Sequence, residues 1–255
     1  PDMSNNQHDL STHHDQYGIT TAAMVNETFA QGLERGVLLM RHSAREFRRD
    51  IHDLENPLTD HGRGLAKKLG ENLSAGINCR AYASPPHRCI ETGEFVLAGV
   101  NARRQESGLD LLQGGKARPL EALGVFYALD QIRMWKGLRS AGGLTNYIQT
   151  WFDGDIAPDV MMRPQQAVAM VLEVLLGKLD AQPIEPVEAG AKQLDLCVTH
   201  DMTVYTVRHG AGLESLSAAP VDFLDGLLLY RQGGVLMLKS HYGTCVEVTE
   251  QMLLR

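Results

Sequence analysis

Between residues 35 and 45 the chain reads Arg-Gly-Val-Leu-Leu-Met-Arg-His-Ser-Ala-Arg, which sets Arg41, His42 and Arg45 directly after an unbroken apolar run. Two guanidiniums beside an imidazole suit a phosphoryl group. The planar fork of arginine meets phosphate oxygens two at a time, and a neutral imidazole can attack phosphorus once the anion's charge is neutralised. Another cation, Arg88, follows in Ser84-Pro85-Pro86-His87-Arg88, and a second imidazole with an adjacent carboxylate lies in Thr199-His200-Asp201. An Arg-His pair alone is more often a solvated strand end, so the weight rests on the elements that would bring these residues together.

Those elements can be read from apolar spacing. Residues 37–40 form a short apolar run of the kind expected for a strand buried on both faces, with charge beginning where the strand leaves the core. In open α/β sheets ligands bind at the carboxyl ends of parallel strands, so Arg41, His42 and Arg45 should project into a crevice. A charged loop over 46–56 leads to a helix that Thr59 can cap, with Leu65, Ala66, Leu69 and Leu73 as its buried stripe and Gly76 at its end. A second strand over 79–83 runs into a helix announced by Ser84 as cap and by two prolines, with Arg88 in its first turn. Free N–H groups and a positive dipole end make that position favourable for an anion.

Size and composition bound the answer. The chain has 255 residues, 44% of them hydrophobic, enough for one large α/β domain with an insertion. A formal net charge of −7 argues against nucleic acid or an anionic membrane surface as a bulk partner, so an anion must be held by a local cationic pocket. Cys79, Cys89, Cys197 and Cys245 show no CxxC pairing; reduced thiols, a cytoplasmic setting and no metal site or cofactor are expected. No stretch approaches the length of a membrane span. Residues 1–18, polar and carrying His8, His13 and His14, read as a flexible tail, followed over 19–33 by an amphipathic helix.

Taken in order, these motifs resemble the histidine phosphatase superfamily, also called phosphoglycerate-mutase-like. The resemblance rests on Arg41-His42, Leu58-Thr59-Asp60-His61-Gly62, Ser84-Pro85-Pro86-His87-Arg88-Cys89-Ile90-Glu91-Thr92, and a late strand leading into Thr199-His200-Asp201. It covers roughly 35–100 and 190–212. It implies a phosphohistidine intermediate on His42, with Arg41, Arg88 and His200 holding the phosphoryl oxygens, and no metal. Arg45 and Asp201 are similar to positions of the acid-phosphatase-like branch, where the arginine binds phosphate and the aspartate protonates the leaving group. Glu121, after a third strand expected near 117–120, resembles instead the acidic position of the mutase branch, so both carboxylates stand as candidates. Ser43 departs from the family's glycine, and its side chain could crowd the phosphate loop.

Two further stretches bear on the site. Arg208-His209-Gly210 is a literal Arg-His-Gly, yet it falls near the end of the helix opened by Asp201, where cations and glycine suit a helix terminus, and no Leu-Thr or Ser-Pro-x-x-Arg element follows it. Residues 121–190 exceed one crossover and read as a helical cap insertion, with helical spacing over 126–138, 147–151 and 164–179 and an exposed loop over 180–193. Arg133, Trp135, Lys136, Arg139 and Trp151 are candidates for a substrate entrance there. Near the C-terminus, Gln232-Gly233-Gly234 between apolar runs signals a hairpin, and 246–249 an edge strand.

The expectation is therefore a three-layer α/β/α domain over 19–255, with a mostly parallel sheet and a cap. It should act as a metal-independent phosphomonoesterase on a small phosphorylated substrate. The alternatives are a phosphoglycerate-type mutase, disfavoured by Ser-Ala-Arg after His42, and a catalytically idle member that binds a phosphorylated ligand or a protein.

Overall fold

The structure, a computed structural model, describes residues 16–184 and 190–255. The polar N-terminal tail with its three histidines, and the middle of the loop expected over 180–193, lie outside the described residues. The first strand explains the layering. In β1 (Arg35–Arg41) Val37, Leu38, Leu39 and Met40 are all fully buried. Val37 and Leu39 face one hydrophobic cluster, Leu38 and Met40 the other. Because strand side chains alternate, an unbroken apolar run means a core on each face, and so three layers.

On one face pack α1 (Ile19–Ala30), α2 (Asp60–Asn72) and α3 (His87–Glu106), contributing Val25 and Phe29, Leu65, Ala66 and Leu69, and Val96 and Leu97 to the core. On the other face lie α6 (Pro164–Leu179) and α7 (Asp201–Gly210), through Val168, Val171 and Leu175 and through Val204 and Val207. Between α3 and α6 come β3 (Ala117–Pro119), a 3-10 turn (Glu121–Leu123), and the helices α4 (Gln131–Ala141) and α5 (Leu144–Phe152). Not all of 121–190 stands apart from the sheet, since α6 forms part of the layer over β1. Trp151, considered for an entrance, is core instead. Its indole N–H donates to the Met162 carbonyl at 2.8 Å and its ring stacks on Tyr127.

Among the described residues seven strands form one sheet, ordered β3-β2-β4-β1-β5-β6-β7, with β2 (Ile77–Ala83), β4 (Lys192–Thr199), β5 (Gly226–Gln232), β6 (Val235–Ser240) and β7 (Cys245–Glu247). The sheet is mixed, which corrects the expectation of a mostly parallel one. The pairs β3–β2, β2–β4 and β4–β1 are parallel, whereas β1–β5, β5–β6 and β6–β7 are antiparallel. Turn chemistry is the reason. Gly233 and Gly234, at φ +57° and +82°, make a two-residue turn between β5 and β6, and so short a link joins only antiparallel strands.

The parallel half creates the crevice. The chain leaving β1 enters α2 on one face, and the chain leaving the adjacent β4 enters α7 on the other. Diverging connections of this kind open a gap beyond the carboxyl ends of two neighbouring strands, where ligands bind. Among the described residues no helix is long and apolar enough to cross a membrane.

Candidate active site

His42 and His200 emerge side by side at that switch point. The parallel register runs through Arg41 opposite Thr199, the His42 N–H donates to the Thr199 carbonyl at 3.0 Å, and the two rings meet edge to face at 5.8 Å between centroids. His42 is buried, and its Nδ1 lies 2.7 Å from the Ser43 carbonyl oxygen. A carbonyl can only accept, so Nδ1 carries the hydrogen and Nε2 keeps its lone pair. Burial, reinforced by Arg41, Arg88 and His200, holds the His42 pKa well below the usual imidazole value. Burial and then Arg88 push His200 down to about 4. Both rings are therefore neutral near pH 7.

The loop after β1 shows why the surrounding motifs have the residues they have. Thr59 caps α2, its hydroxyl accepting from the Gly62 N–H at 2.9 Å. A Cβ at Gly62 would meet the Ala44 carbonyl oxygen at 2.2 Å, so only glycine lets the first turn of α2 approach the loop. Thr92 spans two elements: its hydroxyl donates to the Arg88 carbonyl at 2.7 Å and accepts the Ser43 N–H at 3.0 Å. Ser43 does not crowd an anion through its hydroxyl, which turns away to donate to the Gly62 carbonyl at 2.7 Å. Ser84 is not a helix cap as expected. Pro86 takes that position in α3, and the Ser84 hydroxyl instead meets His200 Nε2 at 2.8 Å.

Three arginines converge on the same space. Arg41 sits over the Phe223 ring at 4.1 Å, donates from Nη1 to the Val221 carbonyl at 2.9 Å, and pairs through Nη2 with Asp201 Oδ2 at 3.5 Å. Arg88, buried in the first turn of α3, and Arg45, stacked on Phe47, both face the Asp53 carboxylate, at 3.6 Å and 3.3 Å respectively. Arg41 Nε, Arg45 Nε and Nη1, and Arg88 Nε are buried with no hydrogen-bond partner among the described residues. Buried donors left open are costly unless something accepts from them, and an anion is the natural acceptor for such a set.

Of the residues singled out from sequence, Arg41, His42, Arg45, Arg88, His200 and Asp201 thus share one site. Asp201 opens α7, its Oδ1 accepting the Met202 N–H at 2.8 Å. Glu121 is not linked to them: its exposed side chain makes no hydrogen bond or ion pair among the described residues, although its 3-10 turn is tied to the strand end by the Thr199 hydroxyl donating to the Leu123 carbonyl at 2.6 Å. The literal Arg208-His209-Gly210 closes α7, as expected. Arg208 is fully buried and donates to the Ala219 carbonyl. Sequence reasoning missed Asp53, which carries no motif, and the segment 221–225, whose Val221, Phe223 and Asp225 all hold Arg41. Among the described residues no group of three or more His, Cys, Asp or Glu is placed to hold a metal ion.

Neutral burial of the histidines has a cost in acid. An imidazole whose folded pKa lies below its unfolded value stabilises the fold above about pH 6.5 and loses that contribution as pH falls, because the unfolded chain takes up protons first. For His200, with a folded value of about 4, the loss between about pH 6.5 and 5 is roughly 1–2 kcal/mol. Urea unfolding at a series of pH values should show stability declining through this window, and His200→Gln should flatten the decline. A pH-independent midpoint there would reject the neutral pair.

Site and fold together are those of an α/β protein with a cationic crevice at the switch point of its sheet. Residues 37–111 match the family model described as the histidine phosphatase superfamily (branch 1), so the likeness read from the motifs holds at the level of the superfamily. The matched span includes His42 and Arg88 and ends before Glu121 and His200; it gives no support to a closer placement in the acid-phosphatase-like branch. Solved structures similar to this chain include phosphoglycerate mutase from Bacillus anthracis str. Sterne (18% identity, 82% of this chain and 94% of that chain, TM-score 0.47). A phosphoserine phosphatase mutant from Entamoeba histolytica in complex with phosphoserine is similar at 13% identity, over 84% and 95%, with a TM-score of 0.47. A putative alpha-ribazole-5'-P phosphatase from Escherichia coli str. K-12 is similar at 16% identity, over 81% and 96%, with a TM-score of 0.47. No curated protein matches the chain.

Proposed function

We propose that this protein is a phosphomonoester hydrolase that works through a phosphohistidine on His42. The observation that carries the reading is the hydrogen bond of His42 Nδ1 to the Ser43 carbonyl, which leaves the Nε2 lone pair free in a ring that feels the Arg41 and Arg88 guanidiniums. The ester's phosphoryl oxygens take the open N–H groups of Arg41, Arg45 and Arg88, with His200 as a further contact. Nε2 then forms a bond to phosphorus as the bond to the ester oxygen breaks. The departing alkoxide takes a proton from a carboxylic acid, and the same carboxylate, now a base, activates the water that cleaves the phosphohistidine. Inorganic phosphate leaves and His42 is regenerated. Charge neutralisation is assigned to the arginines, so the scheme includes no metal. The substrate is a small phosphorylated molecule and the compartment cytoplasmic.

Asp201 is assigned as the proton donor over Glu121, because it lies against Arg41 at the mouth of the site. Phosphate release from a panel of monoesters tests both the function and this assignment. General acid catalysis is typically worth about 10² to 10⁴-fold, and it matters for an alkoxide but little for nitrophenolate, which departs without a proton. Asp201→Asn should therefore slow an alkyl phosphate by about 10²-fold or more, and p-nitrophenyl phosphate far less. Equal losses on both would make Asp201 a helix cap, and a selective loss in Glu121→Gln would transfer the role. Isomerisation without net phosphate release would indicate a mutase, and phosphate binding without turnover a binder.

A further inference from the structure

The anion site already holds an anion, one supplied by the chain itself. Asp53 Oδ1 lies 3.3 Å from Arg45 Nη2, its Oδ2 lies 3.6 Å from Arg88 Nη2, and its backbone carbonyl accepts from Arg88 Nη1. Asp53 thus takes Nη groups of two of the three arginines, beside the N–H groups left open, and lies against the guanidiniums that a phosphoryl group would use. The segment that delivers it is built as a closed loop. Its neck is pinned where the Glu46 N–H donates to the Pro57 carbonyl at 2.9 Å and Arg45 bridges to Leu58. Inside the neck, buried Asn56 accepts the Arg48 N–H at 3.0 Å and donates to Asp53 Oδ1 at 3.3 Å, which aims the carboxylate at the arginines. The 3-10 turn Asp53–Glu55 carries it with no buried residue of its own. Such a loop can swing about its neck without disturbing β1 or α2.

We propose that Asp53 is an intramolecular plug, a competitor that occupies the phosphoryl subsite in the resting protein and must be displaced by substrate. This rests on the reading of the arginine cluster as an anion site. If plugged and open states exclude one another, every anionic ligand has its affinity reduced by the same factor, the fraction of time the loop is open. A fixed negative charge merely near the site would act differently, penalising a dianion more than a monoanion.

Calorimetric titration of the full chain with methylphosphonate and methanesulfonate, at about pH 9, separates these cases. The two probes share a shape but carry two charges and one. In Asp53→Asn and Asp53→Ala, both should bind about tenfold more tightly than in wild type, and by the same factor. A gain for methylphosphonate well above that for methanesulfonate would replace the plug by through-space repulsion. Unchanged or weaker binding in both variants would make Asp53 a loop brace or part of the anion cradle. If wild type binds methylphosphonate and the variants match it, the plug alone fails. If neither wild type nor variants bind, the anion-site reading fails and takes the plug with it.

Discussion

A rapid quench in alkaline detergent during turnover of a labelled phosphate ester should leave acid-labile, base-stable label on the wild-type chain and none on His42→Ala. Turnover of the variant should fall by about 10⁴-fold or more, the scale seen when a covalent nucleophile is removed and binding groups alone remain. The expectation follows from geometry at one atom. His42 is buried with Nδ1 committed to the Ser43 carbonyl, so Nε2 is the nitrogen left to form a bond to phosphorus. The other Arg-His-Gly provides the control. Because His209 sits at the end of α7 against Phe152, His209→Ala should keep both label and turnover. Loss of label in His209→Ala with retention in His42→Ala would invalidate the site.

Arg88→Ala should lower kcat/KM for a phosphate ester by about 10³-fold, the lower end of what a transition-state arginine contributes to phosphoryl transfer. Arg88 is buried, touches the Asp53 plug, and depresses the pKa of both His42 and His200. A second consequence therefore follows, with its sign fixed by charge. Removing a neighbouring cation makes the imidazolium easier to form, so the acid limb of the pH–rate profile, which reports protonation of His42, should move to higher pH. Arg88→Lys should restore the limb but only part of the rate, since an ammonium cannot offer the planar fork. A loss under tenfold with an unmoved limb would place Arg88 outside the reacting groups.

The folding loop and helix starts were legible because they depend on local rules. The apolar run over 37–40 meant a strand buried on both faces, and Thr59 stands where a helix start demands a cap, whereas Gly62 and Thr92 were legible only through the resemblance, because the contacts that require them join separate elements. Ordered along the chain, such elements carry Arg41, His42, Arg88 and His200 to strand ends and a helix start, so the site could be assembled from the sequence before its distances were known. The mixed sheet was less legible, although the Gly233-Gly234 turn announced one antiparallel pair, because β1–β5 pairing joins segments far apart in sequence.

Other features were decided by tertiary structure alone. Ser84 followed by two prolines reads as a helix cap, yet its hydroxyl serves His200, 116 positions away, because parallel strands β2 and β4 end side by side. Trp151 has the composition of an entrance residue and the surroundings of a core residue, and only packing against Tyr127 distinguishes them. The protonation of His42 depends on burial and on guanidiniums from separate elements, neither of which a linear pattern contains. Asp53 is the sharpest case. In the sequence it is one of several charges in an irregular loop, and its place between Arg45 and Arg88 exists only once the loop closes at its neck, for an ion pair depends on distance in space and not on spacing along the chain.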